Sequence, residues 1–240
     1  PSISPCAFSR PKFESIKNAQ HIICISETTK KDLLETYNLN EESISVIYLA
    51  TNIEKYENNA SPVDGPYILY VGQRNGYKNF INFLKAYASN PHINENFKLV
   101  CFGQGYFKKE ELEVINKIKG YSKKIIQIDG NDQLLSNFYS NATAFIYPSF
   151  YEGFGLPLIE AMRLKCPVIC SRNECFEEIA ETTAKYFDPH EIESISFEIE
   201  NTISNENILN KMKNEGLIHS KKFTWSETAL QTKKIYDKLI

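Results

Sequence analysis

A strand, a glycine turn and a helix start follow one another in AFIYPSFYEGFGLPLIEAM, residues 144–162. Residues 144–149 are apolar and rich in β-forming types, which predicts a strand. Gly153 and Gly155 permit a tight turn with close backbone approach, and Pro157 has its φ angle preset for a first helical turn. The stretch therefore predicts a strand that runs through a turn into a helix N-terminus.

A helix N-terminus of this kind attracts an anion such as a phosphate, because its first N–H groups lack partners and the helix dipole is positive there. Two carboxylates flank the turn: we expect Glu152 in the turn itself and Glu160 in the first helical turn. Carboxylates accept hydrogen bonds well from sugar and ribose hydroxyls. Taken singly, each residue also has a plain structural explanation, since the helix dipole favours a nearby glutamate and two glycines can simply make a turn.

The whole string EGFGLPLIEAM, residues 152–162, is far harder to explain by local structure alone. It resembles the E-x7-E signature of retaining glycosyltransferases of the GT-B fold, in the large group 1 family that includes bacterial lipopolysaccharide and capsule sugar transferases. The resemblance implies that Glu152 is catalytic and holds sugar hydroxyls and that Glu160 holds the ribose of the donor. It assigns the donor diphosphate to the backbone of four residues: Gly153, Phe154, Gly155 and Leu156.

Length and composition limit the alternatives. With 240 residues and a net charge of −3, the chain can form one full α/β domain and part of another, and it has no broad basic field for nucleic acid. It is too short for a complete two-domain transferase, and its start at Pro1 suggests a fragment. No run approaches the roughly 18 apolar residues of a membrane span, and the first residues lack the apolar core of a signal peptide. We expect a cytoplasmic protein, and the resemblance places it at the inner face of the cytoplasmic membrane, with peripheral association through the rest of the N-terminal domain.

The cysteines and histidines do not predict a metal site. The six cysteines include no C-x2-C pair and are interpreted as reduced thiols: Cys6, Cys24, Cys101, Cys166, Cys170 and Cys175. A zinc site at the last three is disfavoured by their irregular spacing. The four histidines show no metal or triad spacing and no Asp-x-Asp motif occurs, so we expect no metal and no other cofactor.

Eight short apolar runs alternate with helical patterns along most of the chain. They lie at residues 21–26, 45–49, 67–72, 98–103, 125–130, 144–149, 167–171 and 185–189. This alternation predicts an α/β fold, a Rossmann-like parallel sheet with helices on both faces. In such sheets, ligands bind at the carboxyl ends of the strands.

The predicted domain boundaries follow from a polar connector at residues 51–66 and from the resemblance. Residues 1–50 contain two candidate strands and one clear helix, Thr28 to Tyr37, too little to enclose a core. We therefore expect three parts. They are a remnant of an N-terminal acceptor domain with the connector at 1–55, a nucleotide-sugar donor-binding domain at 56–223, and a C-terminal helix at 224–240 that crosses back toward the N-terminal domain.

Two further loops supply candidate binding residues. YVGQRNGYKNF, residues 70–80, places Arg74 and Lys78 after a strand end, where two cations suit a donor diphosphate. The resemblance supports this role for Lys78, whereas Arg74 stands one position later than the usual arginine. Asn131 and Asp132 follow another strand and are assigned to the nucleotide base, although such a cluster also makes a turn with a helix N-cap. One departure from the family is Lys165, which stands where a glycine usually follows the motif helix.

The resemblance implies transfer of a hexose from a nucleoside diphosphate sugar, expected to be a UDP-sugar, to a glycan or lipid-linked acceptor with retention. The process would be the biosynthesis of surface polysaccharide such as O-antigen or capsule. Because most of the acceptor domain is expected to be missing, we expect the chain alone to be inactive or weakly active. Two alternatives stay open: a sugar-nucleotide 2-epimerase of related fold, and a donor-binding fragment without catalysis. A glycan phosphorylase would need a lysine-bound pyridoxal phosphate, for which no lysine context is visible.

Overall fold

The computed structural model describes residues 10–56, 60–103, 105–118, 120 and 124–240. Its strands form two parallel sheets. The smaller sheet pairs β1 (Ile22–Cys24) with β2 (Ile44–Val46). The larger sheet contains β3 (Tyr67–Val71), β4 (Lys98–Phe102), β5 (Ile125–Ile128), β6 (Ala144–Tyr147), β7 (Val168–Ser171) and β8 (Lys185–Phe187). All eight predicted strands are thus present.

Helices separate most of these strands. In chain order they are α1 (Arg10–Asn18), α2 (Glu27–Thr36), α3 (Phe80–Ser89), α4 (Pro91–Asn96), α5 (Lys109–Ile115), α6 (Asp132–Asn141), α7 (Leu156–Arg163), α8 (Glu174–Ala180), α9 (Ile192–Ile203), α10 (Glu206–Ser220) and α11 (Trp225–Leu239). Short 3-10 helices occupy Glu41–Ser43 and Gly76–Lys78. Helix α1 was not predicted from the sequence, and α2 begins and ends one residue earlier than expected.

Helices cover both faces of the larger sheet. Alternate residues of β6 illustrate the division: Phe145 and Tyr147 belong to one buried cluster, which includes Leu158 of α7. Ala144 and Ile146 belong to the other cluster, which includes residues of α3 and α9. Because both faces are buried, the strands are apolar almost throughout. The predicted Rossmann-like α/β sheet is confirmed.

The strand order is β5-β4-β3-β6-β7-β8. Successive strands are added toward one edge from β3 to β5 and toward the other edge from β6 to β8, so the order reverses between β3 and β6. In an open parallel sheet the loops that leave two such strands separate to opposite faces, and a crevice opens at their carboxyl ends. Here those loops are residues 72–79 and residues 148–155. The fold therefore brings the loop of Lys78 next to the loop of Glu152, although 74 residues separate the two in sequence.

Lys165, two residues beyond α7, has a φ of 57°, which is the left-handed conformation that glycine adopts without strain. The N–H of Cys166 donates to the carbonyl of Ala161 at 2.8 Å, which closes the helix end. Lys165, where the family usually has a glycine, therefore carries a local backbone strain. It lies at the C-terminal end of α7, away from the glycine turn at the N-terminal end.

Candidate functional site

The loop after β6 is fixed by its glycines and by the neighbouring loop. Gly155 has a φ of 94° and is the N-cap residue of α7, while Pro157 lies in the first turn, as predicted. Gly153, in contrast, does not have a positive φ. The N–H of Phe150 donates to the carbonyl of Tyr77 at 2.8 Å, which joins this loop to the one that follows β3. The turn predicted from the sequence therefore depends on Gly155.

Lys78 and Glu152 form an ion pair across the crevice. The Lys78 Nζ lies 2.6 Å from Glu152 Oε1, and the two side chains are only 17% and 13% exposed. The ring of Tyr147 lies 5.6 Å from the same Nζ, and its hydroxyl is close enough to Glu152 for that carboxylate to influence its pKa. Burial raises the pKa of Tyr147 above its ordinary value, and the nearby charge of Glu152 adds to the effect. The tyrosine therefore stays protonated, and it can keep the carboxylate in place.

Two carbonyls of the glycine turn accept hydrogen bonds from side chains of other segments. Ser26 Oγ and Thr29 Oγ1 donate to the Gly153 carbonyl at 2.6 and 2.9 Å, and Cys175 Sγ donates to the Phe154 carbonyl at 3.3 Å. In a trans peptide the C=O of one residue and the N–H of the next point in opposite directions. The N–H groups of Phe154 and Gly155 therefore point away from these side chains.

These N–H groups are not used by hydrogen bonds within the described part of the protein. In the part of the chain that the structure describes, the backbone N–H groups of Phe154, Gly155 and Leu156 have no protein acceptor. They lie at the N-terminus of α7, where the helix dipole adds positive potential. Together with Lys78, they form a site suited to an anion.

Glu160 lies one turn further along α7 than predicted. The helix begins at Leu156, so Glu160 is its fifth residue and belongs to the second turn; the first turn of α7 carries no acidic residue. The hydroxyl of Tyr139 donates to Glu160 Oε2 at 3.3 Å. Burial raises the pKa of Glu160 and the charge of Asp132 raises it further, while the Tyr139 hydrogen bond lowers it. The helix dipole alone is thus a poor explanation of Glu160, because its influence falls off beyond the first turn.

Asn131 and Asp132 begin α6. The Asn131 Oδ1 accepts a hydrogen bond from the N–H of Leu134 at 3.0 Å, so the helix N-cap interpretation is confirmed. Asp132 is the first residue of α6 and is close enough to Glu160 to influence its pKa. A contact of either residue with a nucleotide base stays a prediction.

Arg74 does not extend into the crevice as the sequence suggested. Its guanidinium is buried, pairs with Glu111 at 3.2 Å, and donates to the carbonyls of Gly105 and Tyr106 at 2.8 and 3.0 Å. The ring of Phe107 lies 4.7 Å from the guanidinium carbon. Glu111 is as buried as Arg74, and a buried carboxylate needs a partner of opposite charge. Arg74 therefore stabilises the loop that follows β4.

Sequence reasoning missed the residues that support the site. Tyr147 and Tyr139 contact the two glutamates, and Ser26 and Thr29 contact the turn. Only Tyr147 had a usable signal, because it ends the strand that leads directly into the motif. The others come from distant segments that the fold brings close.

The described residues offer no metal centre. None of their histidine, cysteine, aspartate and glutamate side chains form a group of three or more that could hold a metal ion. The cysteines within the described ranges are buried free thiols, and Cys6 lies outside those ranges. No helix in these ranges is long and apolar enough to span a membrane.

Comparison with known proteins finds relatives of this chain. The chain is 28% identical to the O-antigen chain mannosyltransferase B of Escherichia coli over 93% of its length, and it spans 62% of that relative. It is 32% identical to the O-antigen chain mannosyltransferase RfbU of Salmonella typhimurium over 78% of its length, and it spans 52% of that relative. The structure of Anabaena HepE in complex with UDP and glucose superposes with a TM-score of 0.78 at 17% identity, over 98% of this chain and 68% of the other.

The structural likeness shows a shared fold, which is that of GT-B glycosyltransferases. A family model described as "Glycosyl transferases group 1" matches residues 52–218, and this range contains both glutamates of the motif, Lys78 and the glycine turn. The chain therefore belongs to the group 1 glycosyltransferase family.

Proposed function

We propose that this chain binds a nucleoside diphosphate sugar and forms the donor site of a transferase that moves a hexose to a glycan or lipid-linked acceptor. The observation that carries the proposal is the juxtaposition of the Lys78 ammonium with three N–H groups that have no protein acceptor among the described residues, at the N-terminus of α7. Such a site matches a diphosphate, which needs both a counter-charge and fixed donors.

Each carboxylate has a distinct role in this proposal. Glu152 lies beside Lys78, so it accepts hydrogen bonds from the sugar hydroxyls next to the diphosphate. Glu160 lies further along α7 and is held by Tyr139, and it accepts hydrogen bonds from the ribose. Arg74 takes no direct part, because its donors are engaged inside the protein.

The relatives favour one donor. Two of them are named as O-antigen mannosyltransferases, and enzymes of that activity commonly use GDP-mannose. We therefore place GDP-mannose ahead of the UDP-sugar expected from the sequence. The corresponding process is the synthesis of a surface polysaccharide.

The proposed reaction is transfer with retention and without a metal. The bond between the anomeric carbon and the diphosphate oxygen breaks, and the acceptor oxygen bonds to that carbon on the same face. The acceptor proton passes to the departing phosphate oxygen. Lys78 and the N–H groups of the turn stabilise the negative charge that develops on this leaving group. Glu152, which is 13% exposed, orients the sugar.

The test is to incubate the protein with GDP-mannose, UDP-glucose and UDP-N-acetylglucosamine, with and without a mannose-containing acceptor, and to score four outcomes separately. Binding, with at least slow transfer once an acceptor is present, supports the proposal. Isomerisation of the sugar without an acceptor would indicate the 2-epimerase instead. Binding without any chemistry would indicate a donor-binding fragment, and failure to bind any nucleotide sugar would contradict the proposal.

A further inference from the structure

The glycine turn is held by a segment that precedes the region matched by the family model. Ser26 and Thr29 lie at the start of α2, whereas the match begins at residue 52. Both hydroxyls donate to the same acceptor, the carbonyl of Gly153, at 2.6 and 2.9 Å. A carbonyl that accepts two hydrogen bonds uses both of its lone pairs.

Ser26 has a second task that fixes its own position. Its Oγ accepts a hydrogen bond from the N–H of Thr29 at 3.0 Å, so it is the N-cap of α2. The two hydroxyls also lie 2.8 Å apart. Ser26 is fully buried. The start of α2 and the carbonyl of Gly153 are therefore parts of one hydrogen-bonded cluster.

Helix α2 is itself attached to the donor-binding part by separate contacts. The carboxylate of Glu178 in α8 accepts hydrogen bonds from the N–H groups of Glu27 and Thr28 at 2.7 and 3.1 Å. The hydroxyl of Tyr151 donates to Asp32 at the middle of α2. Glu27 and Thr28 lie between Ser26 and Thr29 in sequence, and Asp32 follows three residues after Thr29, so α2 offers a fixed support for the turn.

We propose that Ser26 and Thr29 are positioning residues for the diphosphate: they hold the carbonyl of Gly153 so that the N–H of Phe154 points toward the bound phosphates. The inference rests on the proposed donor site. Without these two donors, the peptide that links Gly153 and Phe154 can rotate, and its N–H then no longer has one fixed direction. Phosphate affinity then decreases, because the N–H groups are no longer held in their binding orientation in the ligand-free chain.

The test uses Thr29→Val, which replaces a hydroxyl by a methyl group of similar size. Thr28→Val is the matched control, because the Thr28 hydroxyl lies on the same helix and donates to Glu178 at 3.2 Å without contacting the turn. Thr29→Ser restores the hydroxyl. Calorimetry gives the dissociation constants for GDP and GMP, and thermal unfolding gives the stability of each variant.

We expect Thr29→Val to weaken GDP binding about three- to tenfold, the range for losing one hydrogen bond. The ratio of GDP to GMP affinity should fall with it, while Thr28→Val and Thr29→Ser keep both values within about twofold of the unmodified chain. Ser26→Ala, a second variant, should act in the same direction as Thr29→Val. A purely structural role would change the melting temperature and leave the ratio unaltered.

The outcomes distinguish the donor site itself from the role of Thr29 in it. If the unmodified chain binds no nucleoside diphosphate, the proposed function fails and the inference fails with it. If the unmodified chain prefers GDP to GMP but Thr29→Val and Thr28→Val behave alike, the donor site stands and the role of Thr29 is refuted.

Discussion

Substitutions of the two partners in the Lys78–Glu152 ion pair should change the affinity for a diphosphate in opposite directions. In the ligand-free chain the Glu152 carboxylate already pairs with the Lys78 ammonium that the diphosphate needs, at 2.6 Å, and both side chains are largely buried. Lys78→Met removes the cation, and Glu152→Gln removes its competitor. The exposed pair of Lys233 and Asp237 has the same separation of 2.6 Å with side chains 70% and 57% exposed, so Lys233→Met is a matched control.

The expected magnitudes follow from simple electrostatics. Loss of a charge-assisted contact costs about 1.5–3 kcal/mol, so Lys78→Met should weaken GDP binding about 10- to 150-fold. A carboxylate roughly 8 Å from a phosphate charge repels it by about 2 kcal/mol at an effective dielectric constant near 20, before screening by salt. Glu152→Gln should therefore tighten GDP binding about three- to tenfold. It should also reduce the advantage of GDP-mannose over GDP, because the sugar hydroxyls lose their charged acceptor.

Isothermal titration calorimetry of the three variants with GDP and GDP-mannose provides the measurement, and thermal unfolding confirms that each variant is folded. Lys233→Met should stay within about twofold of the unmodified chain, since exposed pairs contribute at most about 1 kcal/mol. If Lys78→Met binds GDP as well as this control does, Lys78 does not bind the diphosphate. A change of GDP affinity in the same direction for Lys78→Met and Glu152→Gln would equally contradict the proposed competition between the carboxylate and the diphosphate.

Further substitutions test three other parts of the structure. The pKa of Glu160 is raised by burial, so the folded chain binds that proton more tightly than the unfolded chain, and this group lowers stability as the pH rises through its pKa. Glu160→Gln should therefore raise the melting temperature at pH 7, by an amount that shrinks as the pH falls through that pKa, and should reduce discrimination between ribose and 2′-deoxyribose nucleotides. Gly155→Ala should lower the free energy of unfolding by about 1–3 kcal/mol in chemical denaturation, because φ is 94° and the new Cβ would lie 3.1 Å from two side chains, whereas Gly153→Ala meets nothing closer than 3.6 Å and should cost under about 1 kcal/mol. Arg74→Met should cost about 3–5 kcal/mol by leaving Glu111 buried and unpaired, and adding Glu111→Gln should recover most of this loss.

The sheet and the motif could be predicted because their signals are local. Apolar runs such as residues 144–149 mark buried parallel strands, and the glycines with Pro157 mark a turn into a helix. The order of strands then places the loops of Lys78 and Glu152 at one crevice. Glu160 was expected in the first turn of α7 but lies in the second, because the exact helix start depends on the conformation of Gly155.

The remaining differences come from contacts between distant residues. The sequence shows two cations near a strand end, but it does not show that Glu111, 37 residues later, takes Arg74 into the protein interior. In the same way, Thr29 contacts Gly153, which lies 124 residues later in sequence, and no local pattern predicts that contact. Supporting residues of this kind become visible only when the fold is known.

Whether the crevice between β3 and β6 binds a diphosphate is measured by the affinity of the chain for GDP, UDP, GMP and UMP. The cation of Lys78 and the N–H groups at the start of α7 are placed for a second phosphate, each contact contributing roughly 1.5–3 kcal/mol before screening. We expect at least one diphosphate to bind about tenfold or more tightly than its monophosphate. Equal affinity within both pairs, or binding that survives Lys78→Met unchanged, would contradict a diphosphate site at this crevice.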